Sequence, residues 1–558
     1  MEFVQKKTAD SAVESFLLKA AEQGVALVWD RYEGSLPQCG FCETGLNCRD
    51  CLQGPCISHP FRDQNKVGVC GKDKDILGVH SFLRLIVHGA MAYFDQLADF
   101  AEGVKSGAIS PKDKGRSDKV LEDIQALLSN GTAAVMKEFP KGLVDGWKAK
   151  GVSPEGIARD LFKVSQKLDG GTSGVKDTLL WAFKAALSGC VAQVLQGRLK
   201  LAVFGEGDPE DVEVNLGVLQ EGVPTILLCG HFSPILKQGI AEAAKGKKVA
   251  VMGVCTDPLI PPYTFAPVTN YGSQEIPIMT GAVDLIVAGD QCVNPSLAEL
   301  VKQWNVGLVQ TEVLNRGGDL KGSARKIVDQ AQKAFDSRRK VSKDVPDIKE
   351  SARIGFSADG LDAKKITEAI NKKKIKGLAL LAGCNNVKFT QDLEIISLAR
   401  ELLKRDVFCV SEGCASISLA KYGLLNPQNR ESSCGKGLSD VLSSLGKDMP
   451  PVVDLGSCEN GGVTEFLLAL GKMPKELPLV ASFPEANRTK AVTRAAWTVA
   501  MGVPTYFWPF LPVTGSPKTV EALGDFCQKT FGAKLNVVTE KMEPGEKADL
   551  ILKSLGRG

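Results

Sequence analysis

Six cysteines crowd between Cys39 and Cys70, spaced Cys39-x2-Cys42-x5-Cys48-x2-Cys51-x4-Cys56-x13-Cys70. Close Cys pairs with glycine between them let a backbone wrap an inorganic cluster and aim several thiolates inward. Four thiolates suffice for one cubane, so six imply more than one centre. CxxC pairs also bind structural zinc, but the lack of a regular CxxC…CxxC repeat fits zinc less well. The whole chain has 16 Cys. Its first residues, MEFVQKKTADSAVESFLLKAAEQG, read as an amphipathic helix and not as a signal peptide. The expected compartment is therefore the cytoplasm, where thiols stay reduced and a disulfide framework is ruled out. Cys190, Cys229, Cys409, Cys434 and Cys527 read as isolated packing thiols.

At 558 residues the chain is too long for one core, and two to four domains are expected. Its 68 basic and 65 acidic residues leave a net charge of +3, which implies no nucleic-acid footprint and no membrane steering. No apolar run of about 18 residues predicts a membrane span.

Three domains are expected. Residues 1–195 read as a helical domain with the cysteine segment near its start. DILGVHSFLRLIVHGAMAYFDQLADFAEGV, LEDIQALLSNGTAAVMKEF and GIARDLFKVSQKLDG all carry apolar residues at helical spacing. From Lys200 the pattern changes to short apolar runs between helical stretches: LKLAVFGEG, VPTILLCGH, KVAVMGVC, AVDLIVAGDQC and VGLVQT. This alternation predicts a doubly wound, Rossmann-like parallel-sheet domain over 196–345. Its Lys/Arg-rich end, residues 321–350, reads as a solvated helix plus linker. A second such domain, 346–558, carries IKGLALLAGC, DVFCVSEGC, PVVDLGSC, LPLVASF and VPTYFWPF. The fold class is thus α/β, a helical domain bearing the cysteine segment followed by two doubly wound sheets.

Six residues in these domains share one local context. His231, Cys255, Cys292, Cys384, Cys414 and Cys458 each directly follow an apolar strand. Ligands collect at the carboxyl ends of strands in open α/β sheets, so residues distant in sequence can converge on one metal cluster. A single such Cys would read as a buried thiol. Five with one His do not.

These segments resemble the superfamily of nickel–iron carbon monoxide dehydrogenases and hybrid cluster proteins, over about residues 39–510. CRDCLQGPC with GVCGK is similar to the dehydrogenase segment that binds an electron-relay cubane. The resemblance implies that Cys48, Cys51, Cys56 and Cys70 hold a [4Fe–4S] cluster. It implies that Cys39 and Cys42 hold a further cluster, [2Fe–2S] by their short spacing or else [4Fe–4S], shared with a second copy across a homodimer axis. GHFSPIL, AGCNN, EGCASISLAKYG and LGSCENG resemble the active-cluster segments. They imply His231, Cys255, Cys292, Cys384, Cys414 and Cys458 as ligands of an active cluster of iron with nickel and sulfide, or of iron with sulfide and oxygen. ASFPEANRTKAV resembles the segment that places a lysine beside that cluster, here Lys490. The 24-residue step from His231 to Cys255, and Thr489 where hybrid cluster proteins carry Glu, favour a dehydrogenase-type scaffold.

One feature departs from that pattern. Dehydrogenases of this kind carry relay histidines at four-residue spacing on the helix after the cubane segment, which stacks them on one face. Here Tyr93 stands at the first such place, and the later ones are absent. The four histidines are His59, His80, His88 and His231, and His80 and His88 read as helix-surface residues. A phenol is a poor relay base at neutral pH but can donate a hydrogen bond to an oxygen-bearing ligand.

The expected activity is therefore reduction of a small nitrogen–oxygen substrate, hydroxylamine to ammonia, with Lys490 and Tyr93 as catalytic groups and a ferredoxin-like donor. The alternative is carbon monoxide oxidation at a nickel–iron–sulfur cluster. A redox sensor or electron carrier without turnover is the third reading, and an exposed cluster without enclosed substrate space would mark it.

Overall fold

The computed structural model describes residues 6–59, 65–129, 131–312, 319–338, 344–471 and 477–556. Two long helices, Lys74–Lys105 and Val175–Phe204, pack against each other and form the spine of the N-terminal part. Both are long and apolar enough to cross a membrane, yet 67% and 89% of their most apolar windows are buried inside the protein. They are core helices.

Helix Val175–Phe204 corrects one sequence expectation. The run LKLAVF reads as a strand but forms its last turns, ended by Gly205 at φ 76° with its N–H on the Leu201 carbonyl. A helix already buried on most of its faces simply continues until glycine allows the left-handed turn. It also runs across position 195, where the sequence pattern places the end of the helical domain.

Five parallel strands follow: β1 (Thr225–Cys229), β2 (Ala250–Val254), β3 (Pro267–Thr269), β4 (Leu285–Ala288) and β5 (Gly307–Gln310). They lie in the order β5-β4-β1-β2-β3. Six more make a second parallel sheet: β6 (Gly377–Leu381), β7 (Val407–Ser411), β8 (Val452–Asp454), β9 (Leu479–Phe483), β10 (Thr505–Phe507) and β11 (Leu535–Val537). Their order is β8-β7-β6-β9-β10-β11. This is the Rossmann order 3-2-1-4-5-6, and the first sheet is the same pattern one strand short. In each sheet the order reverses between the first and fourth strands, β1/β4 and β6/β9, which opens a crevice at their carboxyl ends. A separate antiparallel ladder, Glu210–Val214 against Glu350–Ile354, joins the approach to the first sheet with the approach to the second.

The basic stretch after the first sheet forms helix Leu320–Asp336, which buries Leu320, Ala324, Ile327, Val328 and Ala331 against helix Pro234–Ala244. It is amphipathic rather than wholly solvated. The linker expected beyond it falls partly on 339–343, outside the described residues.

One helix crossing positions the site. Helix Thr489–Ala500 lies on Lys74–Lys105 at Gly89. A Cβ there would stand 2.1 Å from Thr493 Oγ1 and 2.6 Å from the Thr489 carbonyl oxygen, so only glycine permits this approach. Thr493 donates to the Ile86 carbonyl at 3.1 Å across the contact. The close crossing sets Tyr93, one turn beyond Gly89, under Lys490.

Candidate metal centre

The two crevices face each other. His231 follows β1, Cys255 follows β2 and Cys292 follows β4. Cys384, Cys414 and Cys458 follow β6, β7 and β8, and Lys490 opens the helix after β9. All seven, with Tyr93, line one buried cavity of about 40 Å³. Donor atoms of His231, Cys255 and Cys292 lie within 4.8 Å of one another. Cys414 Sγ is 3.2 Å from Cys255 Sγ, and Cys458 Sγ is 3.5 Å from His231 Nε2. The sequence pattern therefore brings together every residue it singled out at the strand ends.

Electrostatics explains why such a set fits a metal cluster. Burial pushes the Cys458 thiol up to about 12 and Cys384 to about 11. Cys292 rises to about 12 through its contact with Cys255 and then burial. Five thiols gathered without a disulfide stay protonated unless a cation displaces their protons. The Lys490 ammonium at the cavity wall also lacks a hydrogen-bond partner. Soft thiolates with one imidazole suit iron, nickel and sulfide.

Carboxylates beside these residues orient the set. Glu459 Oε2 stands 2.9 Å from His231 Nδ1, which leaves Nε2 facing the thiols. Its other oxygen is 3.7 Å from Lys490 Nζ. Glu412 pairs with Arg494 at the cavity wall. The sequence reading missed Glu412, Glu459 and Arg494. A signal existed, because the two carboxylates lie beside Cys414 and Cys458 in EGC and GSCEN.

Lys490 sits among groups that shift its pKa in opposite directions. Burial lowers its pKa, but Cys458, Cys292 and Glu459 outweigh burial and raise it. It is a fixed cation, 5.5 Å over the Tyr93 ring. Tyr93 is fully buried, and burial raises its hydroxyl further above neutrality.

The N-terminal cysteines separate into two groups. Cys48, Cys51, Cys56 and Cys70 line a cavity of about 140 Å³ with Lys72, and no other cysteine reaches it. Cys39 and Cys42 lie apart on the surface, bridged by the Cys42 N–H to the Cys39 carbonyl at 3.0 Å. Asp50 receives bonds from Arg84 Nε at 2.8 Å and Lys72 at 3.1 Å, and so braces the loop of Cys48. His80 is not a surface residue. It is buried, and burial pushes it down to about 4, whereas His88 is exposed as expected. Cys190, Cys229, Cys409 and Cys527 are buried in the core, and Cys434 is half-buried.

Two Rossmann-type sheets behind a helical N-terminal part, meeting at a pocket of thiols and one imidazole, define the class: an iron–sulfur oxidoreductase. Comparison narrows it. The family model "Prismane/CO dehydrogenase family" matches residues 46–112 and 112–542, and the chain belongs to this family. It is 30% identical over 631 residues to carbon monoxide dehydrogenase 1 of Carboxydothermus hydrogenoformans, with 99% of both chains covered. Carbon monoxide dehydrogenase 1 of Methanosarcina acetivorans is also 30% identical, over 99% of this chain and 97% of that one. Among solved structures, carbon monoxide dehydrogenase IV of Carboxydothermus hydrogenoformans superposes with a TM-score of 0.92 at 28% identity, covering 99% of each chain. The scaffold is that of a carbon monoxide dehydrogenase.

Proposed function

We propose that the protein oxidises carbon monoxide with water to carbon dioxide, releasing two protons and two electrons. The observation that carries this reading is the convergence of His231, Cys255, Cys292, Cys384, Cys414 and Cys458 on one enclosed cavity beside Lys490, in a chain whose full-length relatives are named carbon monoxide dehydrogenases. This reverses the order expected from the sequence, where hydroxylamine reduction came first. A nickel–iron–sulfur cluster held by those six residues would supply the electrophilic metal and the electron sink. The enclosure of the pocket also argues against a carrier without turnover.

The protein's own groups have definite parts. Glu459 holds His231 by Nδ1 and anchors Lys490. Lys490 places a positive charge where a substrate oxygen gains negative charge. Glu412 and Arg494 neutralise each other and seal the cavity wall. Cys48, Cys51, Cys56 and Cys70 would hold a [4Fe–4S] centre that supplies the electron exit, and Cys39 with Cys42 would hold a further centre, shared in a homodimer, toward a ferredoxin-like acceptor.

Tyr93 supports a second reading. It lines the pocket beside Lys490, and among the described residues no histidine except His231 does so. A phenol and an ammonium around the site suit an oxygen-bearing substrate. Hydroxylamine would take up two electrons and two protons to give ammonia and water.

Anaerobically purified protein distinguishes the two. Stoichiometric nickel with viologen reduction by carbon monoxide is the expected result. A nickel-free active cluster that oxidises reduced viologen with hydroxylamine, and is inert to carbon monoxide, overturns the first reading in favour of the second. The partition of the N-terminal cysteines has its own check. Cys39→Ser with Cys42→Ser is expected to remove one paramagnetic centre and leave the cubane signal intact. Loss of both signals would reject it.

A further inference from the structure

Either reaction moves two protons per turnover through a pocket whose one histidine is assigned to the metal. On the other side of the ligand-bearing loops lies a larger cavity of about 370 Å³, lined by Lys200, Leu455, Gly456 and Asn460 and flanked by the exposed Arg116 and Lys119. A small void of about 10 Å³ shares Pro258 and Gly456 with it. That volume is close to what one water molecule needs. The void is lined by Thr256 and Gly413, the chain neighbours of Cys255 and Cys414, which themselves line the metal pocket.

Two polar residues give this void its chemistry. Thr256 Oγ1 is buried without a hydrogen-bond partner. Asp454, at the end of β8, is 1% exposed and accepts the N–H groups of Gly355 at 3.1 Å and Gly456 at 3.2 Å. Among the described residues, no other ionisable side chain lines the void. Burial pushes the Asp454 carboxyl up to about 6, against hydrogen bonds from Ser416, Gly355 and Gly456 that lower it. A buried carboxyl that titrates near neutrality beside a space of this size can take and release protons at working pH.

We propose that Asp454 and Thr256 form a proton relay between the metal pocket and the 370 Å³ cavity, in place of a histidine series. Carbon monoxide oxidation sends two protons outward along it while the two electrons leave through the cysteine segment. Reduction of an N–O bond draws two protons inward. The inference thus rests on a proton-coupled reaction at the pocket and not on which substrate is used.

The test is Asp454→Asn, an isostere without a titrating proton, in the metal-loaded enzyme. Turnover is expected to fall roughly a hundredfold, and the residual rate to lose its pH dependence near pH 6. Iron content should stay that of the parent. Infrared difference spectra give a readout that needs no turnover: a protonated-carboxyl band lost with a midpoint near pH 6 in the parent and missing in the variant. An unchanged rate and pH profile, or a band that survives the substitution, overturns the proposal. If Asp454→Asn lowers iron content, Thr256→Val decides. A roughly tenfold slower rate with the carboxyl band retained supports the relay, and the parent rate overturns it. Should the parent turn over neither substrate, the proposed function fails while the infrared titration still judges Asp454.

Discussion

Lys490→Ala is expected to lower turnover by about 10²- to 10⁴-fold while iron content stays unchanged. Lys490 is buried at the cavity wall, 3.7 Å from Glu459 and over the Tyr93 ring, and it is the lysine that lines the pocket. Its charge is held by the surrounding thiols and Glu459, so it serves as a fixed positive end for a substrate oxygen. None of the six proposed ligands is touched by the substitution. Lys490→Arg should not restore the rate, because a planar fork does not replace a compact ammonium in a closed space. Steady-state assays with metal analysis check both, and parent-like turnover in Lys490→Ala would remove the lysine from the mechanism.

The largest expected stability loss lies elsewhere. Lys421 is fully buried with Asp10 at 2.8 Å and Asp392 at 2.5 Å, and it ties the N-terminal segment to the second sheet. Lys421→Met leaves two buried carboxylates without their cation and is expected to destabilise the protein by about 3–5 kcal/mol. Denaturant unfolding of the loaded protein measures it, and a loss below about 1 kcal/mol would show that the pair is replaceable. The pH sign follows. Burial raises the Asp10 pKa, but Lys421 outweighs it and the net shift is downward. The stabilisation is thus complete above the ordinary carboxylate range and fades as pH falls through the depressed value. In Lys421→Met this acid sensitivity should shrink.

How much of this could be read from the sequence depends on how local each signal is. A central strand buried on both faces is a short apolar run, so nine of the eleven strands stand out in the sequence, and the residues after them map onto the pocket. The short β3 and β11 carry too few residues to show. Glu210–Val214 is mostly exposed and acidic, and it exists because Glu350–Ile354 pairs with it. Leu201–Phe204 has strand-like composition but is captured by a helix already under way. His80 looked solvent-facing because the cysteine loop that covers it leaves no trace in its periodicity. Tyr93 was singled out by its place in the helix, but its sealed hydroxyl depends on Gly89 and Thr493, residues some 400 positions apart in the chain.

The division of the six donors between two sheets has a consequence for biosynthesis. A growing chain completes its N-terminal units first. His231, Cys255 and Cys292 already make a three-donor corner within one sheet, while Cys384, Cys414, Cys458 and finally Lys490 emerge later. The early corner can capture a stray ion before its remaining donors exist. The full set of proposed donors exists only once both crevices have closed on each other.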